Sequence, residues 1–95
     1  MHTLTVVIQI GNTDGKLSQN EWAEFAFCMR QIVKENVSCV HFHGGSDWDA
    51  PWQNACWVCE ISKDQIEKLK DEVSGCRKVW SQTSAAFTTG YTEMI

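Results

Sequence analysis

His41 and His43 stand two residues apart in the segment Val37-Ser-Cys-Val-His-Phe-His43. On a strand, residues two apart leave the same face, so this spacing places two imidazoles side by side, fit to grip an anion or a metal ion or to supply a base. Two ligands do not complete a metal site. Cys39 on the same face, or Asp47 and Asp49 in the following loop, are the residues available as a third ligand, and nothing in the spacing fixes their distances. The residues therefore assign no metal, no cofactor and no catalytic group. They leave two partly exposed histidines on a sheet face, available for ligand contact. Cys56-Trp-Val-Cys59 has the spacing of a metal or redox pair. Within a strand, however, residues three apart point to opposite faces, and the redox form of the motif belongs at a helix N-terminus. Cys28, Cys56, Cys59 and Cys76 read instead as small buried hydrophobes.

The segment Gly44-Gly-Ser-Asp-Trp-Asp-Ala-Pro-Trp-Gln-Asn54 is longer than a hairpin loop requires. Gly44 and Gly45 let backbone amides approach a bound group, Asp47 and Asp49 offer acceptors, and Trp48 and Trp52 offer flat apolar surfaces for stacking. With His41 and His43, these residues make up the candidate ligand-contact set. The other reading is that the indoles and Pro51 simply fold the loop onto the domain. The chain holds five tryptophans in 95 residues. Trp22 and Trp57 fall at core positions, which leaves Trp48, Trp52 and Trp80 in loops, where exposed aromatics mark recognition surfaces.

A scaffold must hold these residues, and hydrophobic periodicity predicts one. Residues 3–10 alternate as a strand with Leu4, Val6, Ile8 and Ile10 on one face. Ser18 and Glu21 form a capping box that starts a helix at about residue 19, with Trp22, Phe25, Met29, Ile32 and Val33 along its apolar stripe. Residues 37–43 and 55–61 are two further strands, antiparallel because no crossover helix separates them. Ser62 and Gln65 repeat the capping pattern, predicting a second helix from near Lys63, closed by Gly75 as a left-handed cap. Residues 85–94 supply a last strand, weakened at Gly90. The order strand, helix, strand, strand, helix, strand is the split β-α-β pattern of a ferredoxin-like α+β domain. A single such domain over residues 1–95 has a four-stranded antiparallel sheet with two helices on one face. Its other face stays open, carrying Thr5, Val7, Gln9, His41 and His43.

Composition narrows the class. Apolar residues make up 43% of the chain and charged residues 21%, which suits a folded domain, and no apolar run approaches the ~20 residues of a membrane span. A net charge of -4 argues against general nucleic-acid or anionic-membrane binding. Five cysteines, an odd number, and an N-terminus without the pattern of a secretory signal predict a cytoplasmic protein with reduced thiols.

Ile10-Gly-Asn-Thr-Asp14, Lys16-Leu-Ser18, Trp22 and the segment Phe42 to Trp52 give the chain a resemblance to small single-domain accessory proteins of bacteriophages. That resemblance implies a protein acting in the host cytoplasm, inhibiting host defence by binding a host protein or by sequestering a nucleotide signal. The residues themselves point to a non-enzymatic binding protein. It would use the open face and the 44–54 loop for a small polar, planar ligand or a partner protein, as a homodimer or higher homo-oligomer. The alternative is a small histidine-dependent enzyme or metal-binding domain.

Overall fold

Alternation in the two central strands drives the architecture. In the computed structural model, which describes residues 3–12, 14–47 and 50–95, strand β1 spans Thr3–Gly11, helix α1 Gln19–Asn36, strand β2 Cys39–Gly45 and strand β3 Asn54–Ser62. Helix α2 (Ile66–Val79) and strand β4 (Ala86–Gly90) complete the ferredoxin-like α+β order. The strands lie β2-β3-β1-β4, each antiparallel to its neighbours. Val6, Ile8, Trp57 and Cys59 from the central pair are buried against Phe25, Met29 and Val33 of α1 and Leu69 and Val73 of α2. Both helices thus cover one face, and the opposite face lies open. Among the described residues no helix is long and apolar enough to cross a membrane.

Helix α1 starts as its sequence predicts. Ser18 Oγ accepts the Glu21 N–H at 3.2 Å, and the Glu21 carboxylate accepts the Ser18 N–H at 2.9 Å. These bonds stabilise the ionised form and hold the Glu21 carboxyl below its ordinary range. Asn36, near the other end, is buried. It donates to Ile32 O at 2.8 Å and to Glu72 at 3.2 Å, and it accepts from Lys68 at 3.1 Å, tying α1 to α2.

The second helix departs from expectation at both ends. Ser62 makes no side-chain cap bond, and a 3-10 turn over Lys63–Gln65 precedes α2. Gly75 is not a cap, because the helix runs on to Val79 and the left-handed residue is Ser81, with φ 56°. Burying Cys76 and packing Trp80 against the core outweigh the roughly 1 kcal/mol that an internal glycine costs. The last strand stops at Gly90, and residues 91–95 continue beyond it without sheet pairing. Cys28 also differs from expectation: it is exposed, because it lies off the Phe25-Met29-Val33 stripe. Cys56 is half-buried on the open face, while Cys59 and Cys76 are buried as read.

Adjacent residues of β1 test this one-sided cladding. Ile8→Ala, on the covered face, is expected to lower the unfolding free energy by about 2–5 kcal/mol, and Val7→Ala, on the open face, by less than about 1 kcal/mol. Chemical denaturation of the two variants checks it, and equal losses would contradict the assignment of faces.

Candidate functional site

Strand pairing arranges the open face in rows. Phe42, Val58, Val7 and Thr88 lie opposite one another across the four strands and form an apolar middle. Gly44, Cys56, Gln9 and Ala86 form the row toward one end. Cys39, Glu60, Thr5 and Gly90 form the row toward the other. Phe42 remains 56% exposed, although its ring lies over Gly44. A Cβ at Gly44 would sit 2.5 Å from Phe42 Cζ, so this glycine makes room for the phenyl ring.

The two histidines do not share a face, which corrects the alternation read from the sequence. Val40 pairs with Cys59, and Phe42 pairs with Val58, so β2 carries one residue more than β3 between them and bulges at His41. The bulge keeps His41 on the open side. There its Nδ1 lies 3.6 Å from Cys39 Sγ and its Nε2 3.5 Å from a Glu60 carboxylate oxygen. It also turns His43 to the helix side, where the imidazole stacks on the Trp57 indole with centroids 5.0 Å apart and planes 17° from parallel. Val40 faces the helices, as its pairing with Cys59 requires, and Phe42 joins His41 outside.

A cleft of about 390 Å³ opens at the Gly44-row end of the sheet. Gln9 and Cys56 reach it from the sheet face, Asn54 from the first position of β3, Trp52 from the β2–β3 connection, and Asp14 and Ser84 from the loops beside it. Trp52 is 45% exposed there. The walls are fixed by hydrogen bonds. Buried Asn12 donates to Leu17 O at 3.0 Å and accepts the Leu17 N–H at 3.2 Å, ordering the turn that carries Asp14. The Asn12 N–H reaches Gln53 O at 2.8 Å, and the Gln53 and Gln19 carboxamides pair at 2.9 and 3.2 Å. Asp14 also lies 3.8 Å from the Lys16 ammonium, so its charge is partly balanced. A second hollow of about 420 Å³, on the helix side, is lined by His43, Gly44, Gly45, Trp22 and Gln53.

The candidate residues are therefore divided among separate places. Trp52 borders the end cleft, His43, Gly44 and Gly45 line the helix-side hollow, and His41 belongs to neither. Asp47 is exposed, and its carbonyl accepts the Ala50 N–H at 3.1 Å. Trp48 and Asp49 lie outside the described residues. Sequence reasoning missed Asp14 and Ser84 at the cleft and Glu60 beside His41. Glu60 has a legible signal, being the one charged residue of its strand.

No family model and no curated protein matches this sequence. Solved structures do resemble it. A dimeric ferredoxin-like protein of unknown function from Thermobifida fusca has a TM-score of 0.67 at 7% identity, covering 97% of this chain and 93% of that one. The fold is ferredoxin-like. The de novo designed protein Foldit4 has a TM-score of 0.67 at 13% identity, over 97% of this chain and 100% of that one. The periplasmic divalent cation tolerance protein CutA from Archaeoglobus fulgidus has a TM-score of 0.54 at 15% identity, over 98% and 86%. At such identities the likeness is one of architecture alone. As for a metal, no group of three or more His, Cys, Asp or Glu among the described residues has a metal-holding arrangement.

The thiols separate by burial. Burial, reinforced by neighbouring Cys39 and Cys56, pushes Cys59 up to about 11, and burial with Cys28 nearby pushes Cys76 to about 11. The folded chain holds these protons where unfolded thiols, near 9.0, release them. Their contribution to stability is therefore full below pH 9.0 and is lost as the pH rises through about 11. Iodoacetamide at neutral pH is expected to label Cys28 and Cys39 in the native protein and to reach Cys59 and Cys76 only after unfolding. Peptide mapping checks this, and native labelling of Cys59 would contradict it.

Proposed function

We propose that this protein is a binding module that receives a small, polar, planar ligand in the cleft at the Trp52 end of its open sheet face. The half-exposed Trp52 indole beside that cleft carries the reading. An indole offers a stacking surface, and the Gln9 and Asn54 carboxamides at the same cleft offer paired donors and acceptors for the edge of a heterocycle. Such a combination suits a nucleobase or a similar ring. A nucleotide signal is one ligand of this kind, and its sequestration is the role implied by the resemblance to phage accessory proteins.

A second reading is favoured by a separate observation. Phe42, Val58 and Val7 form a contiguous apolar row on an uncovered sheet, and a second copy of the chain laid on that row would remove it from water. The Thermobifida fusca protein of the same fold is described as dimeric, which agrees with a homodimer here.

Calorimetric titration with adenine nucleotides and free nucleobases separates the two. Ligand binding is expected in the parent protein, with Trp52→Ala weakening it roughly tenfold, as loss of one aromatic stack implies, and stability held within about 1 kcal/mol. Phe42→Asp is expected to leave that titration unchanged while converting any dimer to monomer in sedimentation. Undiminished binding in Trp52→Ala would contradict the cleft assignment.

A further inference from the structure

We infer that Cys39, His41 and Glu60 form a reactive-thiol site that exchanges with small disulfides. The three side chains meet on the open face at the end away from the Trp52 cleft, and the site stands whether or not that cleft takes a ligand. Glu60 lies four residues along β3 from Cys56, roughly 13 Å at the rise of a strand, which sets the two places apart.

The geometry gives each group a role. A carboxylate only accepts hydrogen bonds, so the neutral tautomer that suits the Glu60 oxygen 3.5 Å from His41 Nε2 is the one with its proton on Nε2. Nδ1 then keeps its lone pair, and it faces Cys39 Sγ at 3.6 Å. The thiol has a base, and the base has an orienting partner. Glu60 is itself held. Thr5 Oγ1 donates to its Oε1 at 2.9 Å, and the Thr92 hydroxyl meets Thr5 from behind. Cys39 is exposed at the first residue of an edge strand, open to a reagent from solvent. The register sets the arrangement, because Cys39 pairs directly with Glu60 and His41 stays on the same side of β2 at the bulge.

The titratable groups of the neighbouring elements are few. Glu60 and the more distant Cys56 are the titratable side chains that β3 presents to this face, and the segment after β4 carries Tyr91 and Glu93. The paired positions of β1 and β4 contribute none, and the strands contribute no lysine or arginine. His41 is thus the one strand residue on this face able to carry positive charge opposite a thiolate.

In that displacement His41 Nδ1 takes the Cys39 thiol proton as Sγ attacks one sulfur of R–S–S–R. The Cys39–S–S–R bond forms, the S–S bond of the reagent breaks, and the departing thiolate takes the proton from His41 and leaves as R–SH. Cys39 is oxidised and one reagent sulfur is reduced, with no other oxidant. Cys59 faces the helices and Cys56 lies too far along the face to resolve the product, so the outcome is a mixed disulfide.

Cys28 is an internal control, exposed on α1 and remote from this cluster. The folded protein is treated with the neutral reagent bis(2-hydroxyethyl) disulfide, and mixed disulfides are mapped by mass spectrometry over time and pH. Cys39 is expected to react at least roughly tenfold faster than Cys28 at neutral pH, the scale on which an adjacent base activates a thiol. His41→Ala is expected to bring Cys39 down to the Cys28 rate across the pH range measured. Glu60→Gln, a change at the positioning residue, is expected to lower the Cys39 rate in part. An unchanged Cys28 rate in each variant reports an intact fold. Equal rates for the two cysteines in the parent protein, or a Cys39 rate indifferent to His41→Ala, would overturn the assignment.

Discussion

Helix cladding fixes β2 at two points. Val40 must face the helices because it sits opposite buried Cys59, and His43 must do so because it sits opposite buried Trp57. Between Cys59 and Trp57 there is one residue, Val58. Between Val40 and His43 there are two, His41 and Phe42. A strand forced to match two residues against one bulges, and both of the intervening residues are displaced to the solvent side. The core thus decides what the open face displays. It sends a histidine to Glu60 and a phenylalanine to the apolar row, and it brings the second histidine onto the Trp57 indole.

That constraint yields a surface with three regions of different chemistry. The middle is apolar, the Trp52 end is concave and lined by amides, and the far end carries a thiol, an imidazole and a carboxylate in contact. Few of these residues contribute to the core, which is built from the opposite side of the same strands. Alternation lets a 95-residue chain keep its packing and its contact surface on separate sets of side chains, so the surface can vary without loss of fold. The ferredoxin-like neighbours, at 7–15% identity, agree with this, since they share the architecture and little of the sequence.

Much of this architecture is legible in the residues. The strict alternation of Leu4 to Ile10 and of Ala55 to Ile61 specifies two half-buried strands, and Ser18 with Glu21 specifies a helix start, because each signal is local and acts through neighbours in the chain. The misreadings arise where tertiary contacts override local signals. Gly75 looks like a stop, yet burial of Cys76 and packing of Trp80 carry α2 past it. Val40-His-Phe-His43 alternates as cleanly as any strand, and only its partner strand reveals the extra residue. The cleft was half legible. Trp52 declared itself as a loop indole, whereas Asp14 and Ser84 reach the same place from loops that only the folded sheet brings together. Cys39 near His41 was visible in the spacing, but the third member, Glu60, lies 19 residues beyond His41 and becomes a neighbour only through the β2–β3 register.

The division of the two imidazoles between opposite sheet faces is the claim on which the layout of β2 depends. Nuclear Overhauser contacts from the two imidazole rings, measured on the folded protein in solution, test it most directly. Cross-peaks from the His43 ring to the Trp57 indole, together with cross-peaks from the His41 ring to the Cys39 and Glu60 side chains, are the predicted result. Contacts from both rings to the same neighbours on one face would show a strand without the bulge and would contradict the account.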